Sequence, residues 1–162
     1  MEYHVQITPL MKAVCQTLIE ECEGVDYCIV QHQKNLIVEV SRSDIEQTVL
    51  VLKKHFPDVV DIRKAYLMIE DLHDFILVKP FTSESPVFQE EGIPVPTIEK
   101  LMVDRISDKE YSKRSLEESV QMYQRAMETY SVNTSRLLRY AARKGKKEEV
   151  NEILSQINRK ML

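Results

Sequence analysis

The chain contains no tryptophan, three glycines and three cysteines in 162 residues. So little glycine, with no low-complexity tract, argues against long disorder and leaves no glycine-rich phosphate loop. No apolar run approaches the ~20 residues of a membrane-spanning helix. The opening Met1-Glu2-Tyr3-His4 has neither a basic start nor an apolar segment, so no secretory signal is expected and the expected compartment is the cytoplasm. Cys15 and Cys22 fall seven apart on one predicted helix and Cys28 opens a strand. An odd count of this kind suits packed thiols better than a disulfide framework. His4, His32, His55 and His73 are scattered, with no acid or thiol at metal-ligand spacing, so no metal and no cofactor are expected.

What remains is the composition of an ordinary folded domain, 43% apolar and 30% charged, long enough to bury a core without staples. The net charge of −4 hides an asymmetry. Residues 1–92 carry 8 basic against 16 acidic side chains, and residues 93–162 carry 14 against 10. An acidic front and a basic back imply two kinds of surface.

The periodicities divide at the same place. Thr8-Pro9 caps a helix whose apolar positions run Leu10, Met11, Val14, Cys15, Leu18, Ile19, Cys22, and Gly24 stops it. Strands are predicted at 27–31 and 35–41, joined by a reversal too short for anything but an antiparallel hairpin. Glu39 interrupts the second strand and is expected on its exposed face. Ser43-x-x-Glu46 reads as a capping box for a helix that ends at Pro57-Asp58. Strands follow at 59–63 and 75–80, with a short helix favoured over 65–71. If strands 35–41 and 59–63 share the sheet, the passage between them is a parallel crossover. A Ser-, Pro- and Glu-rich loop at 81–92 is the one candidate boundary, and 93–95 offers a short edge strand. From Thr97 the pattern is helical: Thr97 and Ser115 are N-caps, and Asn133 or Ser135 opens a helix that Gly145 breaks. The fold class is α+β. A small mixed sheet of about four strands, with helices on one side, occupies 1–92, and a C-terminal helical layer occupies 93–162.

Catalytic constellations are not evident. Nucleotidyl transfer needs a Gly-Ser turn and paired acids on a strand, yet Gly24 precedes Val25. Asp61 follows Pro57-Asp58 too closely to supply the second strand of a metal nuclease. His32 with Cys28 is a weak nucleophile–base pair. No catalytic residue is assigned. The strongest local signal is cationic: Arg136, Arg139, Arg143, Lys144, Lys146 and Lys147 fall in twelve positions with no acid among them. Leu137, Leu138, Ala141 and Ala142 run beneath. Such a ridge on a helix–Gly–helix hairpin can meet a phosphate backbone or an acidic protein. A helix-turn-helix register about Gly145 fails where Asn151 stands in place of an apolar residue.

Two segments carry a family resemblance. Val95-Pro96-Thr97-Ile98-Glu99-Lys100-Leu101-Met102-Val103-Asp104 resembles the "VPTLEKLLVD" helix of AbiEi-type proteins. Tyr130-Ser131-Val132-Asn133-Thr134-Ser135-Arg136-Leu137-Leu138-Arg139-Tyr140-Ala141-Ala142-Arg143-Lys144-Gly145-Lys146-Lys147-Glu148-Glu149 is similar to that family's "Y-x-I-N-x-S-R-L-L-R-Y-A-x-R-R-G-K-x-E-E" signature. These are antitoxins and transcriptional regulators of type IV abortive-infection toxin–antitoxin systems, a form of phage defence. The resemblance covers roughly residues 27–154. It implies a C-terminal antitoxin-type α/β domain without the family's N-terminal winged helix, because only about 25 residues precede the first matching strand. A nucleotidyltransferase-type toxin or nucleic acid is then the expected partner, and no catalytic residue is implied. A degenerate nucleotidyltransferase-like domain, using Asp26, Glu39, Asp58 and Asp61, and a DNA-binding regulator are the alternatives.

Overall fold

The computed structural model describes residues 1–64 and 68–160. It divides into two compact units: a β unit, Val5–Ser83 with Val87–Val95, and a helical unit, Met1–His4 with Glu84–Pro86 and Pro96–Leu162.

The β unit opens with α1 (Pro9–Glu21), where the Thr8 hydroxyl accepts the Met11 N–H at 3.2 Å and proline takes the first helical position. Strands β1 (Tyr27–His32) and β2 (Asn35–Val40) form the expected antiparallel hairpin, with His32 opposite Asn35. The helix α2 (Ile45–His55) leads to β3 (Val59–Asp61), and β4 (Ile76–Pro80) follows. The sheet order is β1-β2-β4-β3, with β4 parallel to both β2 and β3. The α2 passage therefore joins two co-directional strands, but β4 lies between them. Leu36, Val38, Val40, Ile29, Ile76 and Val78 on the sheet share one core with Met11, Val14 and Leu18 of α1 and with Ile45, Val49 and Leu52 of α2. Both helices thus cover one face.

Several local expectations are corrected here. The Ser43 capping box does not form: Arg42–Asp44 makes a single 3₁₀ turn and α2 starts at Ile45 behind Asp44, without a side-chain cap. The stretch 81–92 is not all loop. Strands β5 (Val87–Glu90) and β6 (Ile93–Pro96) form a ribbon about Glu91-Gly92, whose φ values of 51° and 79° match a primed two-residue turn. Of the helix expected over 65–71, Ile69–Asp71 is a 3₁₀ turn, and 65–67 lie outside the described residues. Glu39 is buried, 3% exposed, because β2 is an interior strand with every residue buried. Its Oε2 lies 4.0 Å from Lys79 Nζ, its neighbour on β4. Asn35 is buried too: its amide donates to the carbonyls of Ile69 (3.0 Å) and Leu72 (2.8 Å) and accepts the Phe75 N–H.

The helical unit consists of α3 (Ile98–Ser107), α4 (Leu116–Thr129), α5 (Thr134–Arg143) and α6 (Lys147–Lys160). Its caps follow the sequence. Thr97 accepts the Lys100 N–H, Ser115 and Glu118 close a full capping box, and Asn133 accepts the Arg136 N–H. Between α5 and α6, Lys146 N–H bonds Ala141 O at 2.7 Å and Gly145 N–H bonds Ala142 O at 3.1 Å. That pair of bonds is a Schellman motif, and Gly145 takes the left-handed φ of 70° that it requires. The core is built from Met102, Val103, Tyr123, Leu137, Tyr140 and Ile153, with their neighbours. Ala142, expected in the apolar stripe, is exposed and Leu138 only half-buried; Tyr140 fills the core position instead.

Candidate binding site on helix α5

The two distinctive segments of the sequence fold against each other, since α3 carries the first and α5 the second. Glu99 is 2% exposed at the start of α3. Its carboxylate accepts from Arg136 at 3.1 Å and, more distantly, from the Asn133 N–H at 3.4 Å. One turn later Asp104 is a buried hub. Oδ2 accepts from Lys100 Nζ at 2.5 Å, and Oδ1 accepts from the Tyr140 hydroxyl at 2.5 Å, with Lys144 Nζ at 3.3 Å. Lys144 lies closer to Asp108, at 2.6 Å. Lys100 and Lys144 also approach the Tyr140 ring, at 5.7 and 5.9 Å from its centroid. The Ser85 hydroxyl donates to the Tyr140 oxygen at 3.4 Å. Burial is the main cause that pushes the Tyr140 phenol above its ordinary range; Lys100 opposes it and Asp104 adds to it.

This network changes the meaning of the basic run. Four of its six cations meet the protein's own carboxylates: Arg136 with Glu99, Arg143 with Glu84 (3.4 Å), Lys144 with Asp104 and Asp108, and Lys146 with Glu149 (3.3 Å). Arg139 and Lys147 are exposed and have no ion pair among the described residues. Lys144 is part of the buried network, with its side chain 14% exposed, and does not stand on the surface with the others. Arg136 and Arg143 remain about half exposed despite their pairs, and such pairs leave much of a guanidinium's donor capacity unused.

What the fold does bring together is Arg136, Arg139 and Arg143. Spaced three and four apart, they share one side of α5 and line a pocket of about 110 Å³ with Tyr140, Glu84 and Pro86. Glu84 is exposed and holds a left-handed φ of 63°. Sequence reasoning missed Glu84, Pro86 and Tyr140 as parts of this site. Tyr140 could have been found from its place between Arg136 and Arg143 on the same helix side. Glu84 belongs to Ser83-Glu84-Ser85-Pro86, which fits the same family pattern more weakly, but nothing in that stretch placed it beside α5.

Two of the four acids of the acidic alternative are held apart. Glu39 pairs across β4 with Lys79, whereas Asp61 pairs with Val78, so the two acids point to opposite faces of the sheet. Asp61 is instead bidentate to Arg63, and that hydrogen bonding is the first cause that holds its carboxyl below the usual range. Cys28 and His32 are four residues apart on one extended strand, about 13 Å along it. Cys15, Cys22 and Cys28 are buried and form no disulfide among the described residues. Among the described residues, no three His, Cys, Asp or Glu side chains converge on a metal position, and no helix is long and apolar enough to cross a membrane.

No curated protein and no solved structure matches the chain. One family model does, described as a family of unknown function (DUF6577), and it spans residues 1–160. With a match over nearly its whole length, the chain belongs to the DUF6577 family.

Proposed function

We propose that the protein is a non-enzymatic, antitoxin-like module of the type IV abortive-infection kind, acting by contact with an acidic face of a protein partner, a nucleotidyltransferase-type toxin. The carrying observation is the trio Arg136, Arg139 and Arg143, gathered on one side of α5 around a small pocket. Arginine is the cation best suited to such a surface, because its planar fork grips carboxylates bidentately and is weakly hydrated. The two segments resembling the AbiEi-type signature are those that build and brace this face. A protein partner is favoured over duplex DNA because the internal pairs break the ridge. Nucleic-acid affinity grows with the number of phosphates neutralised, and few cations here stand unpaired.

The test is co-expression with a nucleotidyltransferase-type toxin, scored by growth. The variant is Arg139→Glu with Arg143→Glu, both exposed and outside the buried network. Rescue by the native chain and its loss in the variant, with an unchanged melting temperature, is the expected result. Rescue that survives the double reversal removes α5 as the contact surface. A promoter fragment retained by the native chain, with steep salt dependence, replaces the protein partner with DNA and makes the chain a regulator.

A further inference from the structure

We propose that the groove between α3 and α4 is a docking site for an acidic amphipathic helix of a protein partner. It uses no side chain of the α5 face and stands or falls separately.

The groove holds about 470 Å³ and is lined from two helical stripes. Ile98, Leu101, Met102 and Arg105 stand one turn apart along α3. Across from them run Glu118, Gln121, Met122, Arg125 and Thr129 of α4. At 1.5 Å per residue, the α4 stripe is about 16 Å long, three turns of helix. Two facing stripes of that length form a trough that a third helix fills by the ridge-and-groove packing that joins helices elsewhere. The floor is apolar, and Met102 and Met122 give it flexible, polarisable side chains that repack around varied partners.

Charge selects the occupant. Arg105, Arg114 and Arg125 border the groove, against one acid, Glu118. That carboxylate accepts the Ser115 N–H at 3.1 Å in the capping box and keeps its charge, so the rim carries three cations to one anion. The Arg105 Nε is buried and has no hydrogen-bond partner among the described residues. An apolar helix flanked by Asp and Glu supplies both the filling for the floor and the acceptors for the rim.

The experiment follows the methionine methyl signals of the full chain by NMR. The probe is a stapled helical peptide of four turns, with leucine at every third and fourth position and glutamate on both flanks. The control carries lysine for glutamate. The expected result is saturable shifts of the Met102 and Met122 methyls and not of Met11, which lies in the core of the β unit. Affinity should fall about tenfold with the lysine peptide, and about as far with Arg114→Gln plus Arg125→Gln. Both arginines are exposed, so the variant should fold as the native chain does. No saturable shift, equal binding of the lysine peptide, or shifts away from these two methyls overturns the proposal. So does a response to dodecanoate without one to the peptide, which would make the groove a small-ligand cavity.

Discussion

The β unit and the helical unit bury polar side chains in different ways. In the β unit the cluster shared by α1, α2 and the sheet is built of apolar side chains, from Met11 and Leu18 to Val38 and Val78, and the buried Glu39 and Lys79 alternate onto the other face of the sheet. In the helical unit the joint between α3 and α5 is ionic, with Lys100, Asp104, Tyr140 and Lys144 in one buried cluster and Glu99 with Arg136 beside it. An apolar core tolerates changes of shape and distributes its energy over many weak contacts. A buried charged network is held by a few directional bonds, contributes modestly when complete, and is costly when broken. Its usual return is a unique arrangement of the elements that carry it. Here those elements present the α5 arginines.

That contrast can be broken most sharply at Asp104. Asp104→Ala removes the carboxylate that accepts from the buried Lys100 ammonium and the Tyr140 phenol, while Lys144 keeps Asp108, and should cost about 3–5 kcal/mol. Urea denaturation combined with hydrogen exchange should place the loss in α3 and α5, leaving the strands of the β unit protected. A loss spread evenly over both units would mean that the network is not local to its own fold.

The matching change in the β unit is Leu36→Ala, which removes a side chain 1% exposed from the centre of the sheet. It should cost about 2–5 kcal/mol as lost transfer energy plus cavity, with protection lost in β1, β2 and β4. Replacing Leu36 by methionine should recover most of this, because volume is what an apolar site requires. The conservative exchange at Asp104, to asparagine, should recover little.

Within α5 the comparison sharpens to two residues alike in type and exposure. Arg136→Ala strips buried Glu99 of its charged partner and should cost about 1–2 kcal/mol, a value discounted for the guanidinium's exposure. Arg139→Ala, which has no such partner among the described residues, should stay within about 0.5 kcal/mol. Equal costs, measured by thermal melting, would deny that one arginine is structural and the other free to bind.

The smallest effect is at acid pH. Arg63 holds the Asp61 carboxyl below its ordinary range, so this group contributes stability above the unfolded value of about 3.9. The contribution is lost as pH falls through the lower folded value. Arg63→Ala should return the Asp61 titration toward the usual carboxylate range, as read from its carboxyl carbon by NMR. It should leave stability unchanged relative to the native chain at any pH below the lowered folded value, where the carboxylate is protonated in both.

Much of the architecture could be read along the chain because its signals are local. An N-cap side-chain oxygen accepts from the first backbone donors of its own helix, so Thr8, Thr97, Ser115 and Asn133 act wherever the unit goes. Gly145 ends α5 because only its backbone takes the left-handed angle cheaply. Alternation and 3.6-residue periodicity separated strands from helices for the same reason. They failed where a signal was weak or shared: the Glu91-Gly92 turn was hidden in a polar loop, and Ser43 had a competing 3₁₀ turn.

Charge placement was a different matter. Along the chain Arg136 to Lys147 reads as one basic ridge, and Glu39 as a solvent-facing acid. The fold reverses both readings in part, because an ionic partner can come from any distance in sequence. Glu99 stands thirty-seven residues before Arg136, Asp104 forty before Lys144, and Glu84 fifty-nine before Arg143. Local composition determined which segments are helices, strands and caps, since those choices are settled within a few residues of backbone. Only the tertiary structure decided which cations remain available and which acids are buried, because burial and Coulomb attraction depend on neighbours in space.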